Sequence, residues 1–236
     1  VASFACGDTG VNTVTLFARD SSGNIGTGVS SVTVLDTLAP VVWVRDLVVY
    51  LDAAGAASVS AAEADSASSD NCGIDSLWLD VTDFSCADIG VHTLTLSARD
   101  SSDNIGAGTL SVTVADTTRP VVATQPVTVY LDGSGNGSIS INDIDNGSSD
   151  NCGIDSVWLD ITDFACNDLG VNTVTMSVRD SSGNINSGTA SVTVSDTTRP
   201  VVVTQPVMVY LDGSGNGSIS TYDINNGSSD NCGIDS

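Results

Sequence analysis

An internal repeat constrains this chain more than any other feature. The string Asp-Thr-x-x-Pro begins at Asp36, Asp116 and Asp196, a spacing of 80 residues. Asp-Asn-Cys-Gly-Ile-Asp-Ser recurs in step from Asp70, Asp150 and Asp230, and an Arg-Asp-Ser-Ser string recurs around Asp20, Asp100 and Asp180. Self-similarity at a fixed period marks an array of like modules rather than one large domain. Residues 116 to 156 and 196 to 236 differ at five positions, whereas 36 to 76 has diverged further. The reading divides the chain into a C-terminal part of a repeat (1–36), two complete repeats (37–116 and 117–196) and an N-terminal part of a repeat (197–236). A module of this size folds alone more easily with a disulfide.

Helical periodicity is nearly absent, and period-two runs of β-branched residues dominate. Strands are expected at Val121 to Thr124, Val127 to Leu131, Ser138 to Ile141, Ile154 to Leu159, Val171 to Val178 and Gly188 to Val194. In Val171 to Val178, Val174, Met176 and Val178 fall on one face and Thr173, Thr175 and Ser177 on the other. Turn residues separate the runs at Asp132 to Gly137, Ser148 to Gly153 and Arg179 to Asn184. Six or seven short strands per repeat predict an all-β fold of tandem immunoglobulin-like sandwiches. Pro40, Pro120 and Pro200 bias the residue before each towards an extended linker.

Charge bounds the partners. The chain has no lysine, six arginines, and Glu63 as the sole glutamate among 29 acidic residues, for a net charge of −23. Such a polyanion suits neither nucleic acid nor insertion into an anionic membrane. Asp in preference to Glu fits short, oxygen-rich loops that hold calcium, and an acidic surface also serves solubility in a salty medium. In a sandwich of this kind the linker aspartate, the Asp-Asn-Cys-Gly loop and the Arg-Asp-Ser-Ser hairpin meet at one pole. The candidate calcium ligands are therefore Asp36, Asp70, Asn71, Asp75 and Asp100, then Asp116, Asp150, Asn151, Asp155, Asp180 and Asn184, and Asp196. The competing reading is that Asp and Asn cap tight turns through nearby backbone N–H groups. Asp132 to Asp143 also resembles an EF-hand loop. Ala54 and Ala56 break that pattern in the first repeat, and the flanks read as strands, which favours a plain turn.

Cysteine spacing suggests oxidation and export. Cys72 and Cys86 lie 14 residues apart, as do Cys152 and Cys166. One disulfide per domain is expected between them, contributing roughly 3 kcal/mol by the chain-entropy model. Cys6 and Cys232 would then find partners outside the chain or in a neighbouring copy. Two thiols per repeat and a single histidine cannot build a tetrahedral zinc site. His92, replaced by Asn12 and Asn172 in the other copies, supports no Ser-His-Asp arrangement, so an enzyme is not expected. Trp78 and Trp158 read as packing residues. Asn136, Asn146, Asn216 and Asn226 head Asn-x-Ser sequons, relevant only in a host that glycosylates asparagine.

The series Asp-Thr-x-x-Pro, Asp-Asn-Cys-Gly, Gly-Val-x-Thr-Val-Thr with Arg-Asp-Ser-Ser-Gly-Asn, and a closing Ser-Val-Thr-Val resembles the hyalin repeat (HYR). This is an immunoglobulin-like extracellular module, here closest to versions in long surface proteins of gliding and marine bacteria. The resemblance covers the whole chain and implies an adhesive or fibrous role without chemistry of its own. Two functions follow: an extracellular stalk or filament stiffened by calcium, its partners neighbouring repeats or identical chains in a fibre, or a multivalent module that binds a glycan or cell-surface ligand.

Overall fold

A computed structural model describes residues 2–235. It divides into two compact units, Val1–Thr118 and Arg119–Ser236. The first opens with an antiparallel ribbon of β1 (Gly10–Arg19) and β2 (Ile25–Val34). A sandwich follows, built from β3 (Leu47–Tyr50), β4 (Ala56–Ser58), the single-turn α1 (Ala61–Ala64), β5 (Ile74–Leu79), β6 (Asp83–Ser85), β7 (Gly90–Asp100) and β8 (Ile105–Ala115). One sheet has the order β3-β8-β7-β5, with β3 and β8 parallel and the other pairs antiparallel. The β4–β6 pair lies outside this sheet. The second unit holds the same pairing: β9 (Val127–Tyr130), β10 (Asn136–Ser138), α2 (Ile141–Ile144), β11 (Ile154–Leu159), β12 (Asp163–Ala165), β13 (Gly170–Asp180) and β14 (Ile185–Ser195). Residues 201–235 form bridges at Val201–Ser229 and Thr204–Asn225 and the turn α3 (Thr221–Ile224), but no strand.

The chain is all-β, with immunoglobulin-like sandwiches in tandem. The alternation read from Val171 to Val178 holds, since Val174, Met176 and Val178 are fully buried. They pack with Val129, Leu131, Ile139, Ile144, Phe164, Ala190, Val192 and Val194 into one core. β7 buries Leu94, Leu96 and Ala98 in the same way, and Asp100 continues their parity. Its carboxylate is thereby carried into the end of the core rather than out to solvent.

Local departures from the sequence reading have local causes. Val121 to Thr124 forms isolated bridges at its two ends instead of a strand. Ser138 to Ile141 straddles the end of β10 and the start of α2. That helix has one turn and so no periodicity to detect, and a capping box sets it. The Ser140 amide donates to Asp143 Oδ2 (2.7 Å), and α1 uses Ser60 and Glu63 likewise. β12 has only three residues, too few to carry a period-two alternation in the sequence.

Candidate metal centre at one pole of the sandwich

The pole is assembled from three loops. β7 and β8 are joined by a tight hairpin in which Asp100 Oδ1 accepts from the amides of Ser102 (2.8 Å) and Asn104 (2.9 Å). Its Oδ2 accepts from Asn104 Nδ2 at 2.7 Å. Burial acts to raise the Asp100 pKa, but the Asn104 side chain and the two amides outweigh it, holding the carboxyl below its ordinary range. Asn104 Nδ2 also donates to the carbonyl of Asp36 at 3.2 Å, tying the hairpin to the linker. From the third loop, Asn71 Nδ2 donates to Asp36 Oδ1 at 3.2 Å, and Asp70 Oδ2 accepts from the Cys72 amide at 2.8 Å. Asp36, Asp70 and Asp100 consequently bring carboxylate oxygens within 4.8 Å of one another.

Three carboxylates this close repel one another, and among the described residues no arginine forms an ion pair with them. Arg99 pairs with Asp75 (3.1 Å) and Asp103 (3.5 Å) instead. Asp36 Oδ2 is buried with no hydrogen-bond partner. A buried, orphaned acceptor beside two carboxylates is the donor set that a hard, oxygen-liganded cation satisfies. In the second unit Asp150 and Asp180 share the 4.8 Å spacing, and Asp150 Oδ1 is also buried and orphaned. Asn184 hydrogen-bonds Asp180 as Asn104 does Asp100. Asp196 Oδ1 accepts from Asn231 Nδ2 at 3.1 Å, while Asp230 Oδ1 and Asn231 Oδ1 are buried orphans. Asp116 is buried, and its Oδ1 accepts from the Thr118 amide at 3.0 Å.

Turn-capping and clustering therefore coexist. Asp75 and Asp155 sit where a bulge shifts the register of β5 and β11, and each meets an arginine, Asp155 pairing with Arg179. Asn104, Asp230 and Asn231 were not among the expected residues, although each is in phase with one that was. The EF-hand-like loop is a turn: Asp132 Oδ1 accepts from the amides of Ser134 (2.8 Å) and Asn136 (3.0 Å), as Asp52 does from Ala54 and Ala56. Asp143, at the last position of that loop, caps α2.

The expected disulfides are corrected. Cys72 is bonded to Cys6 and Cys166 to Cys232, each pair 66 residues apart with α-carbons separated by 5.2 Å. Cys86 and Cys152 are also disulfide-bonded, and no cysteine is free. Cys72–Cys86 and Cys152–Cys166 do not form, and Cys6 and Cys232 have partners inside the chain. The reason is strand length. Cys72 lies beside Ile74, which pairs with Asp100 at one end of β7, while Cys86 lies beside Gly90 at the other. Eleven residues of strand separate the ends by roughly 35 Å, far beyond the ~7 Å that a disulfide spans. Cys6 instead precedes β1, whose first residue pairs with the last of β2, so it stands at the exit towards Asp36 and meets the incoming loop of the next repeat.

No family model and no curated protein matches the sequence. Among solved structures the chain is similar to extracellular cadherin domains 1–4 of protocadherin gamma B7, at 14% identity over 86% of this chain, with a TM-score of 0.34. It spans 63% of that structure. It is also similar to domains 1–3 of protocadherin gamma C5 (12% identity, 80% of this chain and 79% of that one, TM-score 0.38). Titin domains I67–I69 align at 10% identity over 78% of this chain and 75% of theirs, with a TM-score of 0.35. At such scores the architecture rests on the strand pairing above. No helix among the described residues is long and apolar enough to cross a membrane.

Proposed function

We propose that this chain is part of a non-enzymatic extracellular protein of the HYR type. Its repeats, with limits near 37–116 and 117–196, form a secreted or surface-attached stalk or filament that serves attachment. The observation that carries the reading is the Cys6–Cys72 bond beside the Asp36–Asp70–Asp100 cluster. A covalent clamp and a cluster of one buried and two half-buried carboxylates act on one loop, where the end of one sequence repeat meets the start of the next. This supports a load-bearing junction rather than a pocket for chemistry.

Calcium is the ion we assign to the cluster. It takes six to eight oxygens at about 2.3–2.6 Å in adaptable geometry, and Asp36, Asp70 and Asp100 would hold it. Asp116, Asp150 and Asp180 are the equivalent set by repeat phase, and Asp196 with Asp230 are two members of a third. When bound, the ion neutralises mutual repulsion and joins linker, loop and hairpin. Melting and small-angle scattering in calcium and in excess chelator test this. Calcium should raise the melting temperature and narrow the range of bending. Superimposable melts and profiles would reduce the cluster to turn formation.

A further inference from the structure

We infer that the disulfides route tension around the cores of the sandwiches, so that the repeats act as a tether of nearly fixed length. The inference rests on the reading of the chain as a load-bearing stalk or filament. Cys6 and Cys72 stand 66 positions apart in sequence, yet their α-carbons are separated by 5.2 Å. Cys166 and Cys232 are joined in the same way. A pull along the backbone takes the short covalent path across each bond, and the closed loop stays slack. The first loop holds β1, β2, β3, β4 and α1, and the second holds β13 and β14. By repeat phase, every strand of a complete repeat belongs to such a loop except β5 with β6, or β11 with β12.

Those exceptions run from one pole to the other. Cys72 lies just before Ile74, which pairs with Asp100 at the end of β7, and Cys86 lies just before Gly90 at its start. Cys86 is disulfide-bonded as well, so the 14-residue interval from Cys72 to Cys86 carries the load between two crosslinks. It already spans roughly 35 Å, the length of β7. Such an interval reaches at most about 46–50 Å when fully drawn out, which leaves a reserve of about 10–15 Å. The slack sits in the bulge at Asp75 and in the link from Asp80 to Thr82 between β5 and β6. Both ends of the same strand are pulled, so the sheet is not peeled open. Asp36 and Asp70 lie inside the closed loop and Asp100 lies on β7, which keeps the acidic cluster off this path. Cys152 to Cys166 repeats the arrangement along β13.

Single-molecule force spectroscopy on the 236-residue chain, held at its two ends in excess chelator, tests this independently of calcium binding and of attachment. The oxidised wild type should release about 10–15 Å per repeat. It should show no step of about 270 Å, the reach of an unshielded 80-residue repeat. Cys6→Ser combined with Cys72→Ser should lengthen the fully extended chain by about 220 Å, the reach of the loop that this bond hides. Cys166→Ser combined with Cys232→Ser should add the same. Extended length follows from covalent connectivity, so the comparison holds even where a variant folds poorly. Equal extended lengths for wild type and both variants would overturn the proposal. So would a whole-repeat step in the oxidised wild type.

Discussion

Cys6 and Cys72 are bonded to each other, although they stand 66 residues apart in the chain and in different repeats. Cys72 N also donates to Asp70, and the carbonyl of Asn71 lies 3.4 Å from Cys6 Sγ. The disulfide is therefore part of the loop that carries the acidic cluster. Closing a loop of this length contributes roughly 4 kcal/mol by the chain-entropy model. Cys6→Ser should lower the stability of the first unit by about that amount in denaturant titrations. Adding Cys72→Ser should change little more, since both remove one bond. Non-reducing peptide maps should show Cys6–Cys72 and Cys166–Cys232. A Cys72–Cys86 link would refute the pairing.

Gly135 is held by two features of the second unit. Its φ is +77°, and a Cβ would fall 2.6 Å from Cys166 Sγ and 3.2 Å from the Asn231 carbonyl oxygen. Gly135→Ala should destabilise by about 1–3 kcal/mol, combining left-handed strain with the clash. Gly133→Ala, in the same turn with nothing within 4 Å, is the control and should melt near the wild-type temperature.

Acid should weaken the turn at Asp132 in a defined direction. The amides of Asn136 and Ser134 hold its carboxyl below the ordinary range. A folded pKa below the unfolded one means the contribution is complete above the unfolded value, about 3.9. It is lost as pH falls through the folded value. The stability difference between wild type and Asp132→Asn should stay constant from pH 7 to about pH 5, then shrink on further acidification. Comparing the two proteins cancels the relief of overall charge repulsion that acid brings to both. A gap that widened with acid would reverse the assignment.

Metal dependence should map to the cluster and spare the arginine-paired aspartates. Asp36→Asn and Asp70→Asn should each reduce calcium affinity about tenfold or more by calorimetry, whereas Asp75→Asn, which loses only its pair with Arg99, should leave it near wild type. Equal loss in all three would point to general charge rather than a built site.

Period-two alternation was legible in the sequence because each strand is written in local side chains: Val174, Met176 and Val178 need only the pleat to share a face. Turns were legible for the same reason, since Asp132 caps a backbone two and four residues ahead. The convergence of Asp36, Asp70 and Asp100 followed once the hairpin directions were assigned. Bulges are less visible. At Asp75 a one-residue shift turns a candidate ligand towards Arg99, and the string Ile-Asp-Ser carries no mark of it.

The sequence by itself determined the all-β architecture, the faces of the strands and the kinds of residue gathered at the pole. Each follows from backbone period and turn chemistry over a few residues. Only the tertiary structure decided which cysteines bond. Proximity in sequence favoured Cys72 with Cys86, but the long strand β7 holds them at opposite poles. The poles of successive repeats are what meet, so Cys6 reaches Cys72 and Cys166 reaches Cys232.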